Sequence, residues 1–236
     1  MKKIFYILAI AMLFFGSCTE ENLDEPVTTN YTVSIVRECL AADELTPIIN
    51  GEGATITLNN SGTVYQQHTD SLLNARFIDI KPGSTTVTID YEGFSQTKYV
   101  VNIIDKESQS TSVSMIPSSG QYAADLSGVL YASGITIPQG INIIITPRDT
   151  VKNLVKHNGK GGVSSVYVEN LTRKVIVSQN GKFTATMPAT SAGISYTIVA
   201  DDFIDPDTET LLKCESQEIT LYSGKKSVVQ IKYVQP

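Results

Sequence analysis

Three short stretches of this sequence carry residue types that could do chemistry. His68-Thr69-Asp70-Ser71 sets an imidazole, a carboxylate and a hydroxyl side by side, the ingredients of a relay to a nucleophile. Neighbours along one strand or turn point to different faces, so this spacing cannot aim the three at one another. The stretch reads instead as an exposed strand end running into a turn. Asp205, Asp207 and Glu209 alternate as the first ligands of a calcium loop do. Thr210 then holds the sixth position, where that loop needs glycine, and Ser216 the twelfth, where it needs a bidentate Glu. A solvated acidic loop is the expectation, with Ca²⁺ as the weaker alternative. Gly159-Lys160-Gly161-Gly162 lacks the spacing of a phosphate loop and the Ser or Thr that follows one. Residues 149–165 as a whole show no strand patterning, so a long loop or an unstructured insertion is expected there. Long loops on rigid scaffolds carry binding, which makes this the candidate ligand site of the second half.

The remaining reactive inventory is small. Two histidines, His68 and His157, and three cysteines, Cys18, Cys39 and Cys214, occur without a Cys-x-x-Cys pair. A structural zinc site is therefore not expected, no cofactor is implied, and no acid–base constellation supports an enzyme. Cys39 and Cys214 are expected as separate thiols, although an oxidising compartment leaves a bridge open. The net charge is −6. No basic face is evident, which argues against nucleic acid as a partner.

The elements that would position such residues begin at the N-terminus. Lys2 and Lys3 precede the apolar run Ile4–Phe15, which falls short of the roughly 20 residues a bilayer span needs. It fits the charged and apolar regions of a secretory signal. Gly16 and Ser17 lead directly into Cys18, and four acids follow within Thr19–Glu25. Such an acidic stretch cannot bury a core and should be a solvated tether. The arrangement resembles a bacterial lipobox, with Phe15 where an aliphatic residue is usual. The acidic segment resembles the export signal of Bacteroides-type surface lipoproteins. The resemblance implies a signal peptide over 1–17, cleavage before Cys18, and acyl chains on Cys18 that insert into outer-membrane lipid. It also implies a tether over 18–29 and display on the cell exterior. A plain signal peptide with an incidental thiol, an uncleaved anchor, and an acidic linker with no addressing role are the alternatives. Removing 1–17 leaves 16 basic against 24 acidic residues, a net −8.

From Tyr31 onward the pattern is alternation with period two. Tyr31/Val33/Ile35, Val87/Ile89/Tyr91, Tyr99/Val101/Ile103, Phe183/Ala185/Met187, Ile194/Tyr196/Ile198 and Val229/Ile231/Tyr233 each share one face. Short strands at this spacing predict an all-β protein of sandwich type. The break at Ile116-Pro117-Ser118-Ser119-Gly120 reads as a linker. Two β-sandwich domains in tandem are expected, over 30–116 and 122–236, with 117–121 between them. Phe77 and Phe183 are each followed five residues later by a proline, Pro82 and Pro188, then a Thr/Tyr-rich strand and an aromatic end, Phe94 and Phe203. That ordered set predicts a repeated module.

The stretch 54–94 resembles the carboxypeptidase-regulatory-like, or transthyretin-like, β-sandwich at Thr69-Asp70, Phe77, Pro82-Gly83, Val87-Thr88-Ile89 and Gly93-Phe94. The glycine usual in its turn is missing, and Asn74 is expected to take the positive φ there. The second half matches more loosely, with Asn180-Gly181-Lys182-Phe183 as the turn and Ala189 after Pro188. Asp70-Ser71-Leu72 and Asp149-Thr150-Val151 resemble the O-glycosylation acceptor of Bacteroides-type exported proteins, implying Ser71 and Thr150 as modified residues. The resemblances imply a surface-anchored, non-catalytic lipoprotein that adheres to or binds a ligand, a glycan or a protein. The alternative is a structural subunit of a fimbria-like assembly, or an accessory part of an outer-membrane uptake complex. With no Trp, any sugar platform must come from Tyr and Phe.

Overall fold

The computed structural model describes residues 27–36 and 53–236. The expectations placed on residues 1–17, Cys18 and Cys39 lie outside the described residues. Within them the strands are β1 (Thr29–Val36), β2 (Thr55–Asn60), β3 (Thr63–His68), β4 (Asn74–Ile80), β5 (Gly83–Asp90), β6 (Thr97–Ile103) and β7 (Gln109–Ser114). There follow β8 (Ala124–Tyr131), β9 (Asn142–Pro147), β10 (Val155–Asn158), β11 (Val163–Val168), β12 (Arg173–Ile176) and β13 (Lys182–Met187). The last are β14 (Ile194–Ala200), β15 (Phe203–Ile204), β16 (Leu211–Cys214), β17 (Gln217–Leu221) and β18 (Lys226–Val234). Among the described residues no helix is long and apolar enough to cross a membrane.

These strands build two sandwiches. Sheet I has the order β10-β7-β1-β4 and sheet II the order β11-β6-β5-β2-β3. Tyr31, Val33, Phe77 and Val113 of sheet I share one buried cluster with Ile56, Leu58, Ile89 and Tyr99 of sheet II. Sheet III runs β12-β9-β14-β17 and sheet IV β13-β8-β18-β16-β15. Ile143, Ile145, Tyr196 and Ile198 of sheet III meet Leu126, Phe183, Ile231 and Tyr233 of sheet IV in a second cluster. Alternate residues of each strand fill these cores, which is how a period of two becomes a buried face. The all-β sandwich expectation is met.

The repeat is visible in the topology. In the first sandwich β1 runs parallel to β7 and antiparallel to β4. In the second, β8 runs parallel to β18 and antiparallel to β13. The order β6-β5-β2-β3 is matched by β17-β14-β9-β12. Phe77 and Phe183 therefore occupy equivalent strands, β4 and β13, and both are buried. Opposite them the halves differ, since Tyr31 faces Phe77 whereas Gly128 faces Phe183.

Four expectations are corrected. Residues 149–165 are not an unpatterned loop: β10 lies antiparallel to β7 and β11 antiparallel to β6. Both strands thus belong to the sheets of the first sandwich although they come from the second half. Their pairing is with distant strands, so no local pattern announces it. The positive φ of the Thr69-Asp70 turn falls on Leu73 (φ 61°), not Asn74. Asp70 Oδ1 accepts from the Leu72 and Asn74 amides, each at 2.9 Å, and this sets the turn one residue earlier. Ile116 is not linker but fully buried in the second core. Pro117 to Ser119 are bonded to both halves, with Ser118 N–H donating to the Gly93 carbonyl and Ala189 N–H to that of Pro117. Finally, the acidic stretch after Phe203 is not wholly solvated, because Asp205 is buried.

Candidate functional site

The distinctive construction of the chain is the arch formed by β10, the turn Gly159–Gly162 and β11. One leg extends sheet I and the other sheet II, so the arch closes the β6–β7 side of the first sandwich. Val155 pairs with Val113 and His157 with Thr111, while Val163 pairs with Val101 and Val168 with Thr97. A register shift between Ser164 and Tyr167, with Ser165 at φ 51°, bends the second leg.

A polar network seats the arch. Gln109 is buried, and its Oε1 accepts from the Ile104 amide at 2.8 Å. That bond turns its Nε2 toward the arch, where it donates to the Lys160 carbonyl and faces His157 Nε2 at 3.5 Å. An amide nitrogen only donates, so this ring nitrogen accepts and the proton is assigned to Nδ1, 3.3 Å from Thr111 Oγ1. Thr111 in turn meets the Tyr31 hydroxyl at 2.5 Å, and Tyr31 meets Tyr99 at 3.1 Å. Burial pushes both phenols above their ordinary range, that of Tyr99 strongly. Gly161 carries φ 109°, and a side chain there would come within 2.8 Å of the Asn102 carbonyl. Glycine is required at that position. Lys160 pairs with Glu107 at 2.7 Å, and Lys98 with Glu169. The arrangement is one of recognition, in which a buried glutamine and threonine read the backbone and histidine of the arch.

Two grooves flank the segment leading into the arch. One of about 490 Å³ lies between residues 147–151 and 166–172. The other, of about 600 Å³, separates residues 149–154 from the turn at 190–195, with Ser114 and Met115 in its wall. Thr150 is exposed and borders both. A third groove, of about 440 Å³, sits where the first sandwich meets Glu169 and Asn170. Tyr91 and Phe94 line it, their rings stacked at 4.9 Å and 4° apart, beside Asp90 and Glu92.

The sequence candidates do not converge. His68 Nδ1 faces Thr55 Oγ1 at 3.2 Å, Asp70 is occupied by its own turn, and Ser71 is exposed. Asp205 Oδ2 accepts from Thr208 Oγ1 at 2.5 Å and Oδ1 from the Asp207 amide at 3.4 Å. Asp207 and Glu209 are exposed. Among the described residues no three His, Cys, Asp or Glu side chains are grouped to hold a metal ion. Cys214 is a free, half-buried thiol whose Sγ accepts from the Ala200 amide at 3.3 Å, and burial raises its pKa. Sequence reasoning missed Gln109 and Thr111. Two polar residues on inward positions of an otherwise ordinary strand were the available signal.

No family model matches the sequence, and no curated protein does. Solved structures resemble it at a distance. The minor pilin GBS52 of Streptococcus agalactiae is 11% identical with a TM-score of 0.42, over 89% of this chain and 97% of that one. A streptococcal ancillary pilin is 13% identical with a TM-score of 0.41, over 89% of this chain and 63% of that one. The Bacillus anthracis TIE protein is 14% identical with a TM-score of 0.34, and this chain, 89% covered, spans 35% of its length. Scores this low carry no argument about function.

Proposed function

We propose that the chain is a non-catalytic structural subunit of an extracellular, fimbria-like assembly, held at the outer membrane by acyl chains on Cys18 and facing the cell exterior. The observation that carries this reading is the arch, which ties two sandwiches into one strut by completing the sheets of the first with strands from the second half of the chain. A strut needs such a lock, because sandwiches joined by a bare linker would swing independently. The acidic tether behind Cys18 then serves to hold the strut clear of the lipid, and the first sandwich is a module of carboxypeptidase-regulatory-like type. Ser71 and Thr150 lie on exposed turns where an O-linked sugar would find access. An intact mass equal to that of the bare lipidated polypeptide would exclude it.

The test has two parts. Protease shaving of intact cells should remove the wild-type chain, and Cys18→Ser should free it from the membrane fraction. Gentle solubilisation should then recover it with stoichiometric partners. A chain protected from protease, or recovered alone from cells in which it is displayed, overturns the reading.

A second reading, adhesion to a glycan, is favoured by the Tyr91–Phe94 stack beside Asp90 and Glu92 in the third groove. Aromatic rings with neighbouring carboxylates suit the apolar and hydroxyl faces of a sugar. Binding on a polysaccharide array that Tyr91→Ala leaves unchanged would remove it.

A further inference from the structure

Among the described residues strand β3 is the outermost strand of sheet II, and its sequence is Thr-Val-Tyr-Gln-Gln-His. Sheet edges are normally guarded against pairing with another chain by charge, proline, a bulge or brevity. The other described edge strands carry such guards. Strand β12, which holds the equivalent place in the second sandwich, opens with Arg173 and Lys174. Strand β4 has Arg76, and Asp79 at φ 56°; β11 has its register shift; β15 is two residues long. Lys156, Lys182 and Glu218 lie on β10, β13 and β17. Strand β3 has none of these. It pairs with β2 through six consecutive residues without a shift, and β2 is uncharged too.

The backbone geometry says which groups are on offer. The two-residue turn Ser61-Gly62 closes on the Asn60–Thr63 pair, and the closing pair of such a hairpin is hydrogen-bonded. Thr63, Tyr65 and Gln67 therefore use their amides and carbonyls on β2. Val64, Gln66 and His68 direct theirs outward. All three are exposed, Val64 at 60%.

We propose that β3 pairs with β3 of a second copy of this chain, antiparallel and about a two-fold axis at Gln66, so that two copies of sheet II become one continuous sheet. In that register Gln66 exchanges both backbone bonds with its symmetry mate. Val64 lies opposite His68 of the other copy, and no charge meets a like charge. Self-pairing is the occupant argued here because the whole run from Thr55 to His68 holds no Asp, Glu, Lys or Arg, in a chain of net charge −6. Copies that repel elsewhere can approach along this edge. The pairing stands on the strand itself and does not depend on surface anchoring.

Sedimentation velocity of the full chain in density-matched detergent tests it, using Gln66→Lys and Gln66→Glu. Each variant alone sets like charges on the axis and should weaken self-association roughly fivefold or more. Mixing the two variants should restore it, because the axis then pairs opposite charges. Gln66→Pro removes the outward amide, leaves the β2 ladder intact, and should abolish dimers while far-UV circular dichroism stays native. A wild-type chain that remains monomeric at high micromolar concentration overturns the proposal. So does a dimer that all three variants leave unchanged, or weakening by Lys and Glu without rescue on mixing.

Discussion

The two sandwiches are copies of one seven-strand plan, and they differ most where β2 meets β3 and where β9 meets β12. In the first the link is Ser61-Gly62; in the second it is residues 148–172, which contain the arch. Each sandwich has a parallel pair whose outer strand, β7 or β18, would otherwise present an open edge. The second covers only the end of β18, where its own β16, inserted between β14 and β17, pairs Lys213 with Val234 and Cys214 with Tyr233. The first has no such insertion, and β7 is covered by β10 from the other half. One module caps the end of that edge with a strand of its own, and the other is paired along four residues by a strand from the other half.

The strongest way to break this comparison is to make the two links alike. Replacing residues 148–172 by Ser-Gly uncovers the edges of β6 and β7. It should cost at least about 4 kcal/mol and separate the calorimetric unfolding of the two sandwiches; one unchanged transition would show that the arch is ornamental. A subtler break is Gly161→Val, which puts a branched side chain at φ 109° against the Asn102 carbonyl. It should cost roughly 2–3 kcal/mol in chemical denaturation, the loss falling on the first sandwich. Gly128→Ala probes the converse site in the second, where a methyl group would meet the Phe183 ring at 2.2 Å. About 2 kcal/mol is expected there, read as a lowered midpoint.

Tyr31, the counterpart of Gly128, sharpens the contrast. Tyr31→Phe removes the hydroxyl shared by Tyr99 and Thr111 and should cost about 1 kcal/mol. Burial raises the pKa of both phenols, so the folded chain keeps protons that the unfolded chain releases above about pH 10. Stability is then complete below that pH and falls as pH rises past it, more shallowly in Tyr31→Phe. The smallest effect belongs to Lys98→Met. The Lys98–Glu169 pair ties the arch's exit to β6, but both side chains are about a third exposed or more, so less than about 1 kcal/mol should be lost.

What the sequence made legible was the self-contained part of each module. Tyr99, Val101 and Ile103 alternate so clearly that burial follows, and the matched Phe77–Pro82 and Phe183–Pro188 spacings disclosed the repeat. The arch was illegible for a physical reason. Its legs, Val-Lys-His-Asn and Val-Ser-Ser-Val-Tyr-Val, are half-exposed at a sheet edge and show no continuous apolar face. The turn between them is rich in glycine because backbone must pass close to Gln109 and Asn102, which looks like flexibility when the partner is unseen. Asp205 misled in the opposite sense: a carboxylate among acids reads as solvated, yet it is the buried pin of its own turn.

The arch also sets an order in time. A chain emerging from a ribosome or an export channel presents β1 to β7 first, yet the strands that cover β6 and β7 arrive only when residue 168 is out. Until then the first sandwich must wait with two bare edges, exposed to chaperones, to proteases and to other nascent copies. Its completion is a late event, timed by the synthesis of the second half, and a chain truncated before Val163 would never reach it.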